Sequence, residues 1–293
     1  MIEIDPLKQS KLIESDVNIS SQESQLKSFL QLFTGFLVGL IILVSSVFLI
    51  ADLLVTFMPD AAEDKIHLFL ADRLNKPIQS EQGRKSPQDL AIENYLLAIV
   101  NKLKVPTRLA SAPITIELLN SQEINAFAAP GYRLYVTNGF YNSAGSENEL
   151  AMILSHELGH LDLRHTFKKT VRNLSVLLLS FILSQEQALS LAENITNSIA
   201  LGYSRKQEDE SDFYAIDLYS RVYDKNSSEA LRFYERMSSQ EGLEAKATAY
   251  FSTHPLTTKR LKLLKERARE LGMEDKGIIR KKILKRAVGS SSR

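Results

Sequence analysis

Residues 29–58 read FLQLFTGFLVGLIILVSSVFLIADLLVTFM, and between Lys27 and Asp52 no side chain carries a charge. That run exceeds the roughly 20 apolar residues an α-helix needs to cross a bilayer. A surface helix of a soluble domain would show a polar face over such a length, and this run shows none. A cleavable signal peptide also fits poorly: the leading polar segment is long, the apolar run overshoots, and no small-x-small cleavage site follows. The expectation is a single retained membrane anchor at 29–58, behind a polar, mobile tail at 1–28 that is rich in Ser and Gln. The lipid bilayer is then a partner of the chain.

Orientation is weakly encoded. Lys8, Lys11 and Lys27 precede the run, and Lys65, Arg73 and Lys76 follow it, so the positive-inside rule barely discriminates. Lys27 lies tight against the first end, while Asp52, Asp60, Glu63 and Asp64 crowd the second. This favours a cytoplasmic N-terminus and an exported main domain.

The rest of the 293 residues has ordinary globular composition, and a net charge of +1 gives no reason to expect nucleic acid as a partner. The absence of cysteine removes disulfides, thiolate nucleophiles and Cys-rich zinc modules. Residues 60–275 read as one mostly helical α+β domain, followed by a basic tail at 276–293. Leu90, Ile92, Tyr95, Leu96, Ile99 and Leu103 recur at helical spacing, with Pro77, Gly83 and Pro87 as breaks. Residues 114–119 suggest a strand, and NAFAAPGYRLYVTNGF (125–140) suggests two short strands around the Pro130-Gly131 turn. Ser146 can cap a helix with Glu147 and Glu149 in its first turn, running to about His165. Helices are further expected at 204–223, 228–237 and 257–271. The apolar run LSVLLLSFIL at 174–183 is too short to span a bilayer. It reads as a buried helix, with a membrane-dipping or substrate-facing helix as the alternative. The basic residues of 276–286 read as a solvated helix face, or else as a contact for anionic lipid or a partner.

The chemistry sits in SHELGH, residues 155–160, within a chain of only five histidines. On a helix, positions i and i+4 share a face, so His156 and His160 can present two nitrogens to one metal ion. Glu157 is one position off that direction and can reach a metal-bound water as general base. Gly159 costs about 1 kcal/mol of helix stability relative to Ala, which makes sense if a substrate or a neighbouring strand must come close. A catalytic site needs a third protein ligand and an open fourth position. His165, five positions past His160, points about 140° away and cannot share the ion. His254 and the acidic cluster Glu208-Asp209-Glu210-Ser211-Asp212 remain candidates. Within the cluster, Glu208 and Asp212 share a face, so one could bind metal while the other orients a ligand histidine.

HELGHLDLRH (156–165), YSRKQEDESD (203–212) and THP (253–255) followed by Arg260 together resemble the CAAX prenyl protease and HtpX-like zinc metallopeptidases. NAFAAPGYRLYVTNGF resembles that family's N-A-F-A-x-P-G-G segment. The resemblance covers roughly residues 85–270. It implies a zincin-like fold with a small β-sheet and a gluzincin-type site holding one Zn2+ per chain. His156, His160 and Glu208 would be the ligands, Glu157 the general base, and Asp212 the acid behind a ligand histidine. The strand carrying Asn125, Ala126 and Phe127 would be an edge along which substrate backbone lies. His254 would act beside the metal, stabilising the oxyanion or plugging the open position in a resting state. Tyr132 replaces the second Gly of P-G-G, which would alter the turn or add a substrate-facing ring.

These features lead to a membrane-anchored zinc metalloendopeptidase with polypeptide substrates, acting in quality control of membrane or envelope proteins. The competing expectation is a non-catalytic chaperone or adaptor on the same scaffold, for which Glu157 would have no chemical task. A closed structural zinc site is disfavoured by the lack of Cys.

Overall fold

The computed structural model describes residues 22–59, 62–66, 69, 85–183, 202–223, 225, 227–239, 250, 252–255 and 258–274. Most of the tail expected at 1–28, the basic tail at 276–293, and the breaks at Pro77 and Gly83 lie outside them. The chain divides after Ile50 into two compact units. Helix α1 (Gln22–Phe57) begins ahead of the apolar run. Its stretch Gln25–Phe57 is long and apolar enough to cross a membrane, reaching a mean hydropathy of 2.7 over 18 residues. Phe29, Leu32, Phe36, Ile42 and Leu49 stand exposed along it, a continuous apolar surface that a water-facing helix does not keep.

The second unit starts with the end of α1 at Ala51. Helix α2 (Pro87–Leu103) opens with a capping box between Ser86 and Asp89 and with Pro87 in its first turn, where the missing N–H is not needed. Strands β1 (Thr115–Leu119), β2 (Ala126–Ala129) and β3 (Arg133–Thr137) form a sheet in the order β1-β3-β2. β1 runs parallel to β3, and β2 antiparallel to it. The β2–β3 turn places Gly131 at φ 85° and Tyr132 at φ 57°. Tyr132 thus takes the left-handed backbone that glycine adopts freely. Its ring is buried and its hydroxyl binds Asp64, so it does not face substrate.

After the short α3 (Asn138–Ser143), helix α4 (Glu147–Asp162) carries the H-E-x-x-H motif. The Ser146 side chain accepts from the Glu149 amide, as the sequence suggests. Residues 148–161 of α4 are all buried, against β2, α2, α6 (Arg205–Val222) and α7 (Ser227–Ser239). Such a helix must satisfy its polar groups internally. Asn148 donates to the Tyr219 hydroxyl at 2.7 Å, and Glu149 binds Arg236 at 2.6 Å and 2.7 Å. Helix α8 (Thr258–Glu270) packs on α6 and α7.

The expected run of α4 to His165 is corrected by the structure. α4 stops at Asp162, Arg164 takes φ 61°, and His165 opens a new helix, α5 (His165–Leu183). Left-handed backbone costs a non-glycine residue roughly 1–2 kcal/mol. Here the Arg164 guanidinium offsets it, donating to the carbonyls of Val55 (2.9 Å) and Met58 (2.8 Å) and pairing with the fully buried Glu63 (2.8 Å). Arg108 reaches Glu63 at 3.0 Å and donates to the Asp162 carbonyl at 3.0 Å. Glu63 therefore links the end of α1 to the end of α4. Along α5, Phe167 packs on Val55, and Val171 and Leu174 join them. Over 174–177, the described part of the second apolar run, α5 is half-buried.

Candidate metal centre and active site

The site forms where α4, α6 and the 250–255 segment meet. His156 Nε2 and His160 Nε2 lie 3.1 Å apart, one turn apart on α4. Helix α6, started by a capping box between Ser204 and Gln207, brings Glu208 to 3.5 Å from each of those nitrogens. His254 Nδ1 stands 3.1 Å from Glu208 Oε1 and 3.3 Å from His156 Nε2. One donor atom from each of His156, His160, Glu208 and His254 lies within 4.8 Å of the others, and all four side chains are buried. Buried charge must be paired or must bind metal.

α6 reaches this position because α4 has no side chain at 159. A Cβ there would lie 3.1 Å from Tyr214 Cδ1 and 3.3 Å from Ser211 Cα. The partner that needs the gap at Gly159 is thus a helix, where the sequence suggested a strand or substrate. One turn beyond Glu208, Asp212 Oδ1 comes to 3.0 Å from His156 Nδ1. Arg260, quoted in the sequence without a role, binds both oxygens of Asp212 (2.6 Å and 2.8 Å) and reaches Glu208 at 2.9 Å. It compensates the charge of both acids.

Glu157 points to the side of the cluster facing β2. Its Oε2 accepts the Ala128 amide at 2.9 Å, and its Oε1 lies 3.4 Å from His254 Nε2. Neither Glu157 Oε1 nor His254 Nε2 has a hydrogen-bond partner among the described residues. His165 turns back to meet His160 at 3.2 Å, Ser211 at 3.2 Å and Glu210 at 3.1 Å, which makes it a bracing residue and keeps it out of the metal-ligating group.

Burial works against charge throughout the centre, and the neighbours decide the outcome. Burial disfavours the His156 imidazolium, but Asp212 and Glu208 outweigh it and raise His156 to about 9. His160 is pushed well below its ordinary value by the same burial. Glu157 is raised, chiefly by burial. Glu208 and Asp212 are held down despite burial, Glu208 by the three histidines and Asp212 by His156 and Arg260.

β2 is an edge strand among the described residues. Asn125 lies opposite Thr137 and accepts its amide at 3.0 Å. In an antiparallel ladder, bonded and non-bonded pairs alternate. Phe127 opposite Tyr135 is therefore a bonded pair, and the outward backbone groups belong to Ala126 and Ala128. Of the three substrate-binding residues expected from the sequence, only Ala126 turns its backbone outward. Asn125 and Phe127 turn theirs into the sheet, and Phe127 stacks on Tyr135 at 5.1 Å. Ala128 joins Ala126, with its amide bound to Glu157. Tyr203, also without an assigned role in the sequence reading, lies flat on His160 at 3.7 Å, with its amide donating to the Thr253 carbonyl.

Two helix-borne imidazoles, a carboxylate from a second helix and a second, poised carboxylate define the class: an H-E-x-x-H metallopeptidase. The model of Peptidase family M48 matches residues 90–268, and the chain belongs to this family. It is 29% identical over 202 residues to the mitochondrial metalloendopeptidase OMA1 of Schizosaccharomyces pombe, covering 67% of this chain and 59% of that protein. It is 26% identical over 196 residues to a putative β-barrel assembly-enhancing protease of Vibrio cholerae (62% and 40%). To the metalloprotease LoiP of Escherichia coli it is 26% identical over 192 residues (62% and 73%). The chain thus spans between two fifths and three fifths of the first two relatives' length.

Proposed function

We propose that this chain is a membrane-anchored zinc metalloendopeptidase that cleaves polypeptides in the quality control of membrane or envelope proteins. The observation that carries the reading is Glu157. It is buried within the donor cluster, with one oxygen on Ala128 and the other unbonded toward His254. A chaperone or adaptor on this scaffold has no use for such a carboxylate. The domain would run from 60 to 275, between an anchor at 29–58 with its tail at 1–28 and the basic tail at 276–293.

The donor set fits zinc: two imidazoles and one carboxylate, with no thiolate. His156, His160 and Glu208 would hold the ion, and Asp212 would orient His156 from behind. When bound, the ion supplies Lewis acidity and lowers the pKa of water held in its open position. Glu157 Oε1 accepts the proton of the attacking water and delivers it to the leaving amine nitrogen. A substrate strand lies along β2, paired to the outward groups of Ala126 and to the carbonyl of Ala128, whose amide is held by Glu157. His254 serves as oxyanion donor, or as a fourth donor that closes the centre at rest.

Support for the location comes from the length and apolarity of α1. An exported, single-pass topology rests on the charges flanking it. The test is zinc content and casein hydrolysis by the full chain in detergent, wild type beside Glu157→Gln. Loss of the base should reduce turnover about 10²–10⁴-fold with zinc retained; undiminished turnover removes Glu157 from the base role. His254→Ala separates its two roles, since turnover rises if His254 closes the centre and falls if it stabilises the oxyanion.

A further inference from the structure

Along α5 the partners on α1 run in reverse order. Arg164 reaches the carbonyls of Val55 and Met58, Phe167 packs on Val55, and Arg172 binds both carboxylate oxygens of Asp52, with Nε 2.9 Å from Oδ1. α5 therefore travels antiparallel to the last turns of α1, from Met58 toward Asp52. Asp52 is the first charge after the uncharged stretch 28–51, and its partner Arg172 is the last charge on α5. Beyond Arg172, α5 reads NLSVLLLSFIL to its end at Leu183. The paired charges thus stand where each helix turns uncharged in sequence, before Asp52 on α1 and after Arg172 on α5.

We propose that residues 174–183 of α5 insert into the bilayer leaflet that α1 leaves at Asp52, making α5 a second membrane-embedded element of the chain. The proposal rests on the reading of α1 as a membrane anchor. Ten residues of helix extend about 15 Å, half of the roughly 30 Å hydrocarbon core. Glu186 follows three residues after Leu183, and a carboxylate is costly in hydrocarbon, so insertion stops within one leaflet. Lys168 and Arg172 precede the apolar run, where anionic headgroups attract basic side chains.

The same helix begins at the metal centre. His165 is 3.2 Å from His160, and Thr166 meets the Tyr203 hydroxyl at 3.0 Å. Seven residues, about 10 Å of helix, separate His165 from Arg172 at the bilayer surface. The substrates that this placement selects are extended polypeptide segments next to a membrane.

The chain contains no Trp, so one introduced indole reports without background. The full chain is reconstituted in phosphatidylcholine vesicles with brominated acyl chains, as Leu43→Trp, Leu177→Trp or Val105→Trp. Val105 is 69% exposed and serves as the aqueous control. Insertion predicts that Leu43→Trp and Leu177→Trp are both quenched at least twofold, and that Val105→Trp is not. Quenching at 43 but not at 177 overturns the proposal and leaves the anchor standing. No quenching at 43 overturns the anchor itself. A second measurement needs no variant: a diazirine carried on an acyl chain should label 174–183 of the wild-type protein, and labelling confined to α1 overturns the proposal.

Discussion

Asp212 Oδ1 lies 3.0 Å from His156 Nδ1, while Nε2 of the same ring lies 3.5 Å from Glu208. One imidazole is held between two carboxylates from the same helix, one turn apart. The arrangement sets a carboxylate beside Nδ1 and turns Nε2 toward the donor cluster. Carboxylates in this position raise ligand basicity and set ring orientation, and their loss typically costs 10–100-fold in metal affinity. Asp212→Asn should weaken zinc binding by about that factor with the fold intact; competition against a chromogenic chelator measures it, and unchanged affinity would show that Arg260 and packing suffice to hold the ring.

Gly159→Ala tests how closely α6 must approach. The added methyl would gain about 1 kcal/mol in helix propensity but would meet Ser211 backbone atoms at 3.3 Å. α6 would shift by a few tenths of an ångström and carry Glu208 with it. Zinc affinity should fall about tenfold while the melting temperature changes by only a few degrees, read by chelator competition and calorimetry on one sample.

Removing the metal should make stability pH-dependent. His156 is raised from 6.5 to about 9, so without metal its contribution is full below pH 6.5 and is lost as pH rises toward 9. Lys169 is lowered to about 8, chiefly by burial, and acts in the opposite sense above that. The chelated protein should therefore lose melting temperature between pH 6.5 and 8. With zinc at 100 times its Kd, ligation adds about 2.7 kcal/mol and the decline should disappear, because metal displaces the imidazole proton. A flat profile without metal would refute the protonated His156.

Glu63 is fully buried between Arg164 and Arg108, at 2.8 Å and 3.0 Å. Replacing one partner of a buried pair leaves the others uncompensated and costs about 3–5 kcal/mol. Arg108 is 28% exposed, which reduces this to about 2–3 kcal/mol. Glu63→Gln should lower the melting temperature by about 4–12 °C. The same junction sets where a soluble fragment can start. Deleting 1–50 keeps Ala51 and Val55 buried on the domain and should fold; deleting 1–58 removes the Arg164 acceptors and should melt lower.

Much of the centre was legible before any coordinates, for a local reason. His156, Glu157 and His160 are placed by helix periodicity alone, and so are Glu208 and Asp212 relative to each other. Strands around Pro130-Gly131 and the Ser146 cap follow from backbone preferences of a few neighbouring residues. The misplacements concern turns between elements. Arg164 carries no mark of left-handed backbone in the sequence, because its partners are the carbonyls of Val55 and Met58, more than a hundred residues earlier. His165 was therefore assigned to the wrong helix. Which backbone groups of the Asn125–Phe127 strand face outward depends on the register against β3, which a single strand does not encode.

The order of residues by itself determined the apolar helix, the motif helix and the paired acids of α6, since each is a short-range pattern of side chains on one regular element. Only the tertiary structure decided that these elements converge: α6 crosses at Gly159, Arg260 returns from α8 to neutralise two acids, and His254 enters the donor cluster. Such contacts join residues 46 to 98 positions apart, and their energy depends on burial and packing, which no local pattern carries.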